Sequence, residues 1–265
     1  MCRLLGFASH AARSVTSVIG GDQSQVFLDM TRLHRDGWGC AWVDSEKSPD
    51  VHSVKHANPG FEDTELNRAL TSKRATSEII HLRMATDGMS CQPSNTHPFA
   101  AEGVAFAHNG SIPDPVQLEP LLTPGIRESL LGETDSERYF ALIRSHHEQG
   151  MSWLEAARTA ARTIRDLFPH TSLNALMLTE NELIAIHCST NAPSPLAEFS
   201  KRGIAADQLP TDHADAYYQM HIRQLDDGTV VFASSGIDVS EWDALPSDSV
   251  TRVDLETLML ETLAL

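Results

Sequence analysis

The sequence predicts an α+β protein in which two antiparallel sheets pack face to face and helices cover both outer sides. Short apolar or alternating segments, which are typical of strands, fall into two groups along the 265 residues. Two consecutive segments with helical periodicity separate these groups. A Rossmann-like fold would instead alternate single strands with single helices. The order of the segments therefore favours a layered α+β architecture.

The first group of predicted strands occupies the N-terminal part of the chain. The apolar run from Leu4 to Ala8 predicts a buried strand directly after Cys2. Alternating segments predict a hairpin, with strands at 39–43 and 51–55 joined by a loop at 45–50. Further strands are expected at 78–83 and 103–108, and helices at 25–30 and 62–70.

Two long helices follow, and then the second group of strands. Thr134 is a candidate N-cap with Glu137 three residues later, the capping-box spacing, so a helix is expected over 134–149. The next helix is expected over 152–168, where apolar residues recur at helical period. Strands are predicted at 173–178, 183–187, 217–222 and 229–234, an edge strand at 252–253, and a terminal helix at 255–263.

Composition and charge exclude several classes of function. The net charge is −16 and the pI about 5.1, which disfavours nucleic acids and anionic membranes as partners. No apolar run is long enough to span a bilayer, and the N-terminus lacks the pattern of a secretory signal. We therefore expect a cytoplasmic protein with one large domain or two small ones.

The cysteines and histidines indicate neither a metal site nor a disulfide framework. Cys2, Cys40, Cys91 and Cys188 are widely spaced, and none forms a CxxC pair. The thirteen histidines are scattered in the same way. We expect no metal and no cofactor, and a reducing compartment that keeps the thiols free.

Cys2 is the first candidate for catalysis. Removal of Met1 would leave a thiol and an α-amine on one residue. The α-amine has a reference pKa of about 7.7–8.0, so it can accept the thiol proton near neutral pH. A thiolate held at the start of a rigid strand suits acyl transfer. A cysteine at this position also occurs without any function in ordinary first strands.

Four further positions supply what such a nucleophile needs. Asn109-Gly110 follows a predicted strand, so the Asn109 amide and the Gly110 N–H can form an oxyanion hole, although Asn-Gly is also an ordinary turn signal. Arg83 ends an apolar strand, where it must meet an anion or reach solvent; the anion is either a substrate carboxylate or the partner in a structural salt bridge. Asp135 starts a helix, where it either binds a substrate ammonium or favourably meets the helix dipole.

Several motifs in one order carry a family resemblance. They are Met1-Cys2-Arg3-Leu4-Leu5-Gly6, His34-Arg35-Asp36-Gly37-Trp38-Gly39, His81-Leu82-Arg83-Met84-Ala85-Thr86, Asn95-Thr96-His97-Pro98-Phe99, Phe106-Ala107-His108-Asn109-Gly110 and Glu133-Thr134-Asp135-Ser136-Glu137. The order resembles the class II glutamine amidotransferases of the N-terminal-nucleophile hydrolase superfamily. The tail with Ala233-Ser234-Ser235 and Trp242 resembles the short stand-alone members, which include the γ-glutamyl hydrolase of ergothioneine biosynthesis.

The resemblance implies a fold and a role for each matching residue. The implied fold is a four-layer αββα sandwich, with residues 1–265 as a single glutaminase domain. By the same resemblance, Cys2 would be the nucleophile with its own amine as base, and Asn109 and Gly110 would be the oxyanion donors. Substrate-binding positions follow from the same motifs: Arg83 for the α-carboxylate, Asp135 for the α-ammonium, with Thr86, His97 and Arg35.

The leaving group stays open. Many glutamine-using members carry Trp and a different polar residue where this chain has Met84 and Asp87. One hypothesis is hydrolysis of a γ-glutamyl amide, either a larger conjugate or glutamine whose ammonia goes to a separate synthetase partner. The alternative is a non-catalytic module that senses glutamine. The sequence also leaves open whether the chain forms a homodimer.

Overall fold

The computed structural model describes residues 2–44, 48–86, 88–210 and 212–265, and only the backbone of Pro49 and Glu62. Three features discussed above lie wholly or partly outside this description. They are Met1, the hairpin loop at 45–50 and Asp87.

Thirteen strands and seven α-helices are formed by the described residues. The strands are β1 (Arg3–Arg13), β2 (Trp38–Asp44), β3 (Ser48–His56), β4 (Ala75–Leu82), β5 (Phe99–Ala101), β6 (Val104–Gly110), β7 (Leu173–Leu178), β8 (Glu182–His187), β9 (Met220–Gln224), β10 (Val230–Ser234), β11 (Asp243–Ala244), β12 (Ser249–Asp254) and β13 (Leu260–Ala264). The helices are α1 (Val15–Ile19), α2 (Gly21–Asp29), α3 (Thr64–Thr71), α4 (Pro124–Glu128), α5 (Asp135–Glu148), α6 (Trp153–Leu167) and α7 (Leu196–Lys201).

The strands form two antiparallel sheets. Sheet A has seven strands in the order β11-β9-β10-β1-β4-β2-β3, and sheet B has six in the order β13-β12-β8-β7-β6-β5. The predicted hairpin is present, because β2 pairs antiparallel with β3. β1 lies between β4 and β10 near the middle of sheet A, which places the start of the chain in the interior.

Three apolar clusters define four layers. Alternate residues of β1 face opposite sides, as the two-residue period of a strand requires. Leu4 packs between the two sheets, whereas Leu5 and Phe7 pack on the outer side of sheet A against α1, α2 and α3. On the outer side of sheet B, Phe106 packs against α5 and α6. The predicted arrangement of two sheets between helical layers is confirmed.

The start of α5 forms as predicted, with one difference. Thr134 caps the helix by accepting a hydrogen bond from the Glu137 N–H at 3.1 Å. The Glu137 carboxylate does not return to Thr134 but accepts the N–H groups of Leu131 and Gly132, each at 2.8 Å. Glu137 therefore anchors the preceding loop to the helix rather than completing a reciprocal capping box.

The C-terminal predictions are partly wrong. Residues 255–263 do not form a helix, because the chain turns back after Asp254 and β13 pairs with β12. Asp254 stabilises the turn by accepting the Thr257 N–H at 2.8 Å, and Leu258 adopts a φ of 56°. The strand predicted at 252–253 is not an edge strand, since β12 lies between β8 and β13.

The strand predicted at 217–222 begins only at Met220. Tyr217 is fully buried before that strand, with the Arg3 guanidinium 3.8 Å from the centre of its ring. No helix in the described part of the chain is both long and apolar enough to cross a membrane.

Candidate active site

The start of β1 in sheet A lies beside the end of β6 in sheet B. Leu4 packs between the sheets, so Cys2, two residues earlier, faces the same side. On β6, Ala105 and Ala107 face sheet A, and Asn109 continues that series. Residues 107 positions apart in the chain therefore meet between the two sheets.

A hydrogen bond joins these two residues directly. The Cys2 backbone nitrogen donates to Asn109 Oδ1 at 2.8 Å. The other end of that amide, Nδ2, is buried and has no hydrogen-bond partner among the described residues. A buried amide donor left without a partner is costly unless a ligand satisfies it. The arrangement provides a donor for an anion beside the Cys2 thiol.

Glycine is required at position 110. A Cβ there would collide with the carbonyl oxygen of Ser172 and with Nε2 of His108. These two atoms already lie 3.0 Å apart. Only glycine, which has no side chain, fits at this position. Gly110 is the last residue of β6, next to Asn109, and lines the same cavity as Cys2.

The surroundings of the Cys2 thiol favour its ionised form. Burial alone would raise the pKa of the thiol. The positive charge at the amino terminus and the neighbouring His81 outweigh this effect and hold the pKa of Cys2 well below its usual value. His81 lies opposite Leu4 in the pairing of β1 with β4. The shift favours the thiolate, which is the reactive form of cysteine.

Two more buried histidines stand beside His81. The ring of His97 lies 4.0 Å from that of His81, and neither His97 nitrogen has a hydrogen-bond partner in the described ranges. His108 Nδ1 is 2.9 Å from Ser136 Oγ. Burial lowers the pKa of both His97 and His108, so both are neutral at pH 7 and can donate or accept a hydrogen bond.

Arg83 brings a buried positive charge to the same place. Its Nη1 donates to the Asp36 carbonyl at 3.1 Å and its Nη2 to the Ser90 carbonyl at 3.4 Å. Within the described ranges, no carboxylate forms an ion pair with it. A buried guanidinium that contacts only carbonyl oxygens retains the capacity to bind an anion through its fork of donors.

Asp135 contributes a negative charge at the first residue of α5. Its Oδ2 accepts the Ile112 N–H at 2.8 Å, and its Oδ1 lies 3.4 Å from Ser136 Oγ. The Thr134 cap fixes the start of the helix. The half-buried carboxylate is thus held in one orientation at the wall of the cavity that contains Cys2.

These groups surround one small cavity. Its volume is about 20 Å³, which is room for water but not for an amino acid. It is lined by Cys2, Arg83, Met84, Ala85, Thr86, Met89, Asn95, His97, His108, Gly110, Thr134, Asp135 and Ser136.

Most of the residues singled out from the sequence meet at this cavity, and one does not. Cys2, Gly110, Arg83, Thr86, His97 and Asp135 line it, and Asn109 joins it through Cys2. Arg35 is exposed and is not part of the lining. The sequence reasoning did not assign roles to His81 and His108. Their positions, two residues before Arg83 and directly before Asn109, were the available signal.

The site shows no arrangement of ligands for a metal ion. Among the described residues, no three His, Cys, Asp or Glu side chains cluster in a way that would hold one. All four cysteines are free thiols, and only Cys91 is exposed.

Comparison with known proteins agrees with the geometry. The profile of the family described as glutamine amidotransferases class-II matches residues 1–247. The glutamine–fructose-6-phosphate aminotransferase of Rhizobium meliloti is 31% identical over 122 residues, which are 46% of this chain and 19% of that protein. The same enzyme of Rhizobium leguminosarum is 25% identical over 194 residues, or 73% of this chain and 29% of that protein. The chain thus spans less than a third of these relatives.

Solved structures share the fold over nearly the whole chain. A glutamine aminotransferase class-II domain protein from Silicibacter pomeroyi has a TM-score of 0.64 at 19% identity, with 99% of both chains covered. The glutamine phosphoribosylpyrophosphate amidotransferase of B. subtilis has a TM-score of 0.61 at 17% identity, with 99% of this chain and 49% of that chain covered. With the family profile matching nearly the whole sequence, the chain belongs to the class II glutamine amidotransferases, enzymes with an N-terminal cysteine nucleophile.

Proposed function

We propose that this protein hydrolyses a γ-glutamyl amide bond through a γ-glutamyl thioester on Cys2. The observation that carries the proposal is the contact of the Cys2 nitrogen with Asn109 Oδ1, which leaves Asn109 Nδ2 without a partner beside the thiol. Once Met1 is removed, that nitrogen is the α-amine. The same hydrogen bond then fixes both the base and the oxyanion donor relative to the nucleophile.

The proposed reaction has two halves. The Cys2 thiolate attacks the γ-carbonyl carbon, and the oxygen that gains negative charge receives hydrogen bonds from Asn109 Nδ2 and the Gly110 N–H. As the C–N bond breaks, the leaving amine takes a proton from the Cys2 α-ammonium. The Cys2 α-amine, now neutral, then deprotonates a water molecule, which attacks the thioester and releases glutamate.

Recognition of the glutamyl half is assigned to two charged residues that line the cavity. Arg83 binds the α-carboxylate and Asp135 the α-ammonium, while Thr86 and His97 line the same cavity. Arg35 is a further candidate for substrate binding, and from its exposed position it would contact the substrate outside this cavity. The cavity is too small for a γ-glutamyl group, so binding requires the side chains that line it to rearrange.

The leaving amine and the partner are argued from the relatives, because the geometry of the site concerns only the glutamyl half of the substrate. The names of the relatives support glutamine as substrate, with the ammonia passed to a synthetase partner. A larger γ-glutamyl conjugate, as in ergothioneine biosynthesis, remains the other version. Residues 1–265 would act as one glutaminase domain in either case. A homodimer and a cytoplasmic location are compatible with both versions and stay predictions.

A substrate panel tests the proposal. The methionine-free protein is incubated with glutamine and with a series of γ-glutamyl amides, and glutamate release is measured. Hydrolysis of any member supports the proposal, and the preferred member identifies the leaving amine. Absence of turnover with every member, combined with saturable binding of glutamine, would instead favour the sensor.

A second comparison tests the head-group assignment. Asp135→Asn is measured against a γ-glutamyl substrate and its analogue without the α-amine. Truncating a buried charge contact costs about 2–5 kcal/mol, so the variant should lose activity sharply with the first substrate and much less with the second. Asp114→Asn, an exposed aspartate outside the cavity, is the matched control. Additive losses without coupling would show that Asp135 only serves its helix.

A further inference from the structure

The wall of the cavity that contains Arg83 and Thr86 is held by Asp36. The Asp36 N–H donates to the Arg83 carbonyl at 3.0 Å, and the Asp36 carbonyl accepts Arg83 Nη1 at 3.1 Å. The Asp36 carboxylate reaches further along the same wall, because Oδ2 accepts the Ala85 N–H at 2.8 Å. One residue thus fixes both the backbone and the guanidinium of this wall.

Arg202, at the end of α7, completes the arrangement from a distant part of the chain. Its Nη2 lies 2.8 Å from Asp36 Oδ2 and donates to the Ala85 carbonyl at 2.9 Å. A single guanidinium nitrogen of Arg202 therefore connects the Asp36 carboxylate to the backbone of Ala85. Neither charged side chain is fully buried, with exposed fractions of 21% for Arg202 and 15% for Asp36.

The rest of α7 packs behind the same wall. Met84, between Arg83 and Ala85, is buried in a cluster with Phe199 of α7 and Tyr217. The apolar contact fixes the outer side of the wall, while Arg202 fixes its polar edge. The position of α7 is thus coupled to the residues that line the cavity.

The charge of Arg202 has a second consequence. Asp36 holds Arg83 through its carbonyl and Arg202 through its carboxylate, so one residue contacts both guanidinium groups. With Arg202 present, that carboxylate is neutralised by a partner other than Arg83. Without Arg202, the Asp36 carboxylate would compete with the α-carboxylate of the substrate for Arg83.

We propose that Arg202 is a positioning residue for recognition of the glutamyl head group, acting through Asp36 and the loop of residues 83–86. This inference rests on the proposed function, since it concerns the affinity for a zwitterionic γ-glutamyl substrate. It assigns Arg202 no contact with the substrate. Its loss should weaken binding of the head group and leave the reactivity of the Cys2 thiol intact.

Two reagents with different requirements separate these effects. A thiol-reactive glutamine analogue, with α-amine and α-carboxylate intact, needs the head-group site, whereas iodoacetamide needs access to the thiol but no head-group site. Rates of Cys2 modification are measured against reagent concentration for the wild type, Arg202→Met and Arg202→Lys. Lys201→Met is the control, because Lys201 is on the same helix and pairs with Glu198.

Arg202→Met should slow modification by the glutamine analogue about tenfold, mainly by raising the concentration needed for saturation. Its rate with iodoacetamide should match that of the wild type. Arg202→Lys keeps the charge but not the guanidinium geometry and should recover part of the loss, and Lys201→Met should behave as the wild type.

Three results would overturn the inference. Equal losses with both reagents would show that Arg202 supports the thiol site or the fold in general. Unchanged rates with both would show that its contacts do not affect recognition. If the wild type reacted with iodoacetamide but not with the glutamine analogue, the proposed function would fail and this inference with it.

Discussion

Cys2 and Cys40 are both buried thiols associated with sheet A, but their acidities are shifted in opposite directions. Burial raises the pKa of each. At Cys2 the terminal positive charge and His81 outweigh burial and lower the pKa well below its usual value. At Cys40 the Glu78 carboxylate adds to burial, and the pKa rises to about 12 although Lys73 opposes it.

The contrast shows that burial does not decide whether a thiol is reactive. Cys40 accepts a hydrogen bond from Lys73 Nζ at 3.0 Å, yet the same lysine is paired with the fully buried Glu78. Its positive charge is therefore shared with a carboxylate. At Cys2, by contrast, the charge at the amino terminus and His81 both lower the pKa of the thiol, and together they outweigh burial.

The largest predicted effect separates the two cysteines by activity. Cys2→Ala should abolish γ-glutamyl hydrolysis without unfolding the protein, because alanine fits the start of a buried strand. Cys40→Ala should retain most of the activity, since Cys40 lies on the outer side of sheet A. Glutamate release by both variants is the measurement. More than a trace of turnover by Cys2→Ala would contradict the assignment.

The next effect concerns the unpartnered amide beside Cys2. Asn109→Ala should lower kcat by about 10²–10³ with a smaller change in KM, because the bond strengthens only as negative charge develops on the substrate oxygen. Steady-state kinetics separates the two parameters. Equal kcat with a raised KM would place Asn109 in ground-state binding instead. Asn174→Ala is unsuitable as a control because its amide also bridges buried backbone groups.

A third prediction measures the acidity contrast directly. Iodoacetamide alkylation of each cysteine is followed by peptide mass spectrometry across roughly pH 6 to 9. The Cys2 rate should rise less steeply with pH than the rate of exposed Cys91, which should react faster as pH approaches an ordinary thiol pKa of about 8.5. Cys40 should remain almost unmodified. A Cys2 rate that followed the Cys91 profile would show an ordinary thiol.

The smallest effect concerns stability rather than activity. Burial raises the pKa of Glu78 to about 7 even with Lys73 beside it. As pH rises from about 4.5, the Glu78 carboxyl therefore loses its proton in the unfolded state before it does so in the folded state. The contribution of Glu78 to the free energy of unfolding falls over this range until about pH 7. Glu78→Gln lacks this dependence.

Urea unfolding of the wild type and Glu78→Gln across this pH range tests the sign. The stability advantage of the wild type should be largest near pH 4.5 and shrink toward pH 7, by about 1–3 kcal/mol. An advantage that stayed constant or grew with pH would mean that Glu78 is ionised throughout and stabilised by Lys73.

The sequence predicts local features well where neighbouring residues alone determine them. The buried run after Cys2 and the Thr134 cap both appear as expected, because strand period and capping chemistry are local. Residues 255–263 fail as a helix because their leucines suit helix and strand alike. The pairing of β13 with β12 and the turn at Asp254 decide the outcome.

The candidate site divides in the same way. Cys2, Arg83, Asn109 and Asp135 could be singled out because their motifs occur in a familiar order. His81 and His108 lie in the same motifs, but they received no role because a histidine in an apolar strand is usually an ordinary buried residue. Arg202 gives no sequence signal, because its link to Asp36 exists only once residues 166 positions apart are brought together by the fold.

The central claim is that Cys2 alone is the nucleophile, and its acyl intermediate can be observed. The methionine-free protein is mixed with a γ-glutamyl substrate that it hydrolyses, and the reaction is quenched in acid during turnover. The protein is then digested, and its peptides are analysed by mass spectrometry. We predict one γ-glutamyl group on the peptide that contains Cys2 and none on those that contain Cys40, Cys91 or Cys188. A γ-glutamyl group on another residue, with Cys2 unmodified, would contradict the account.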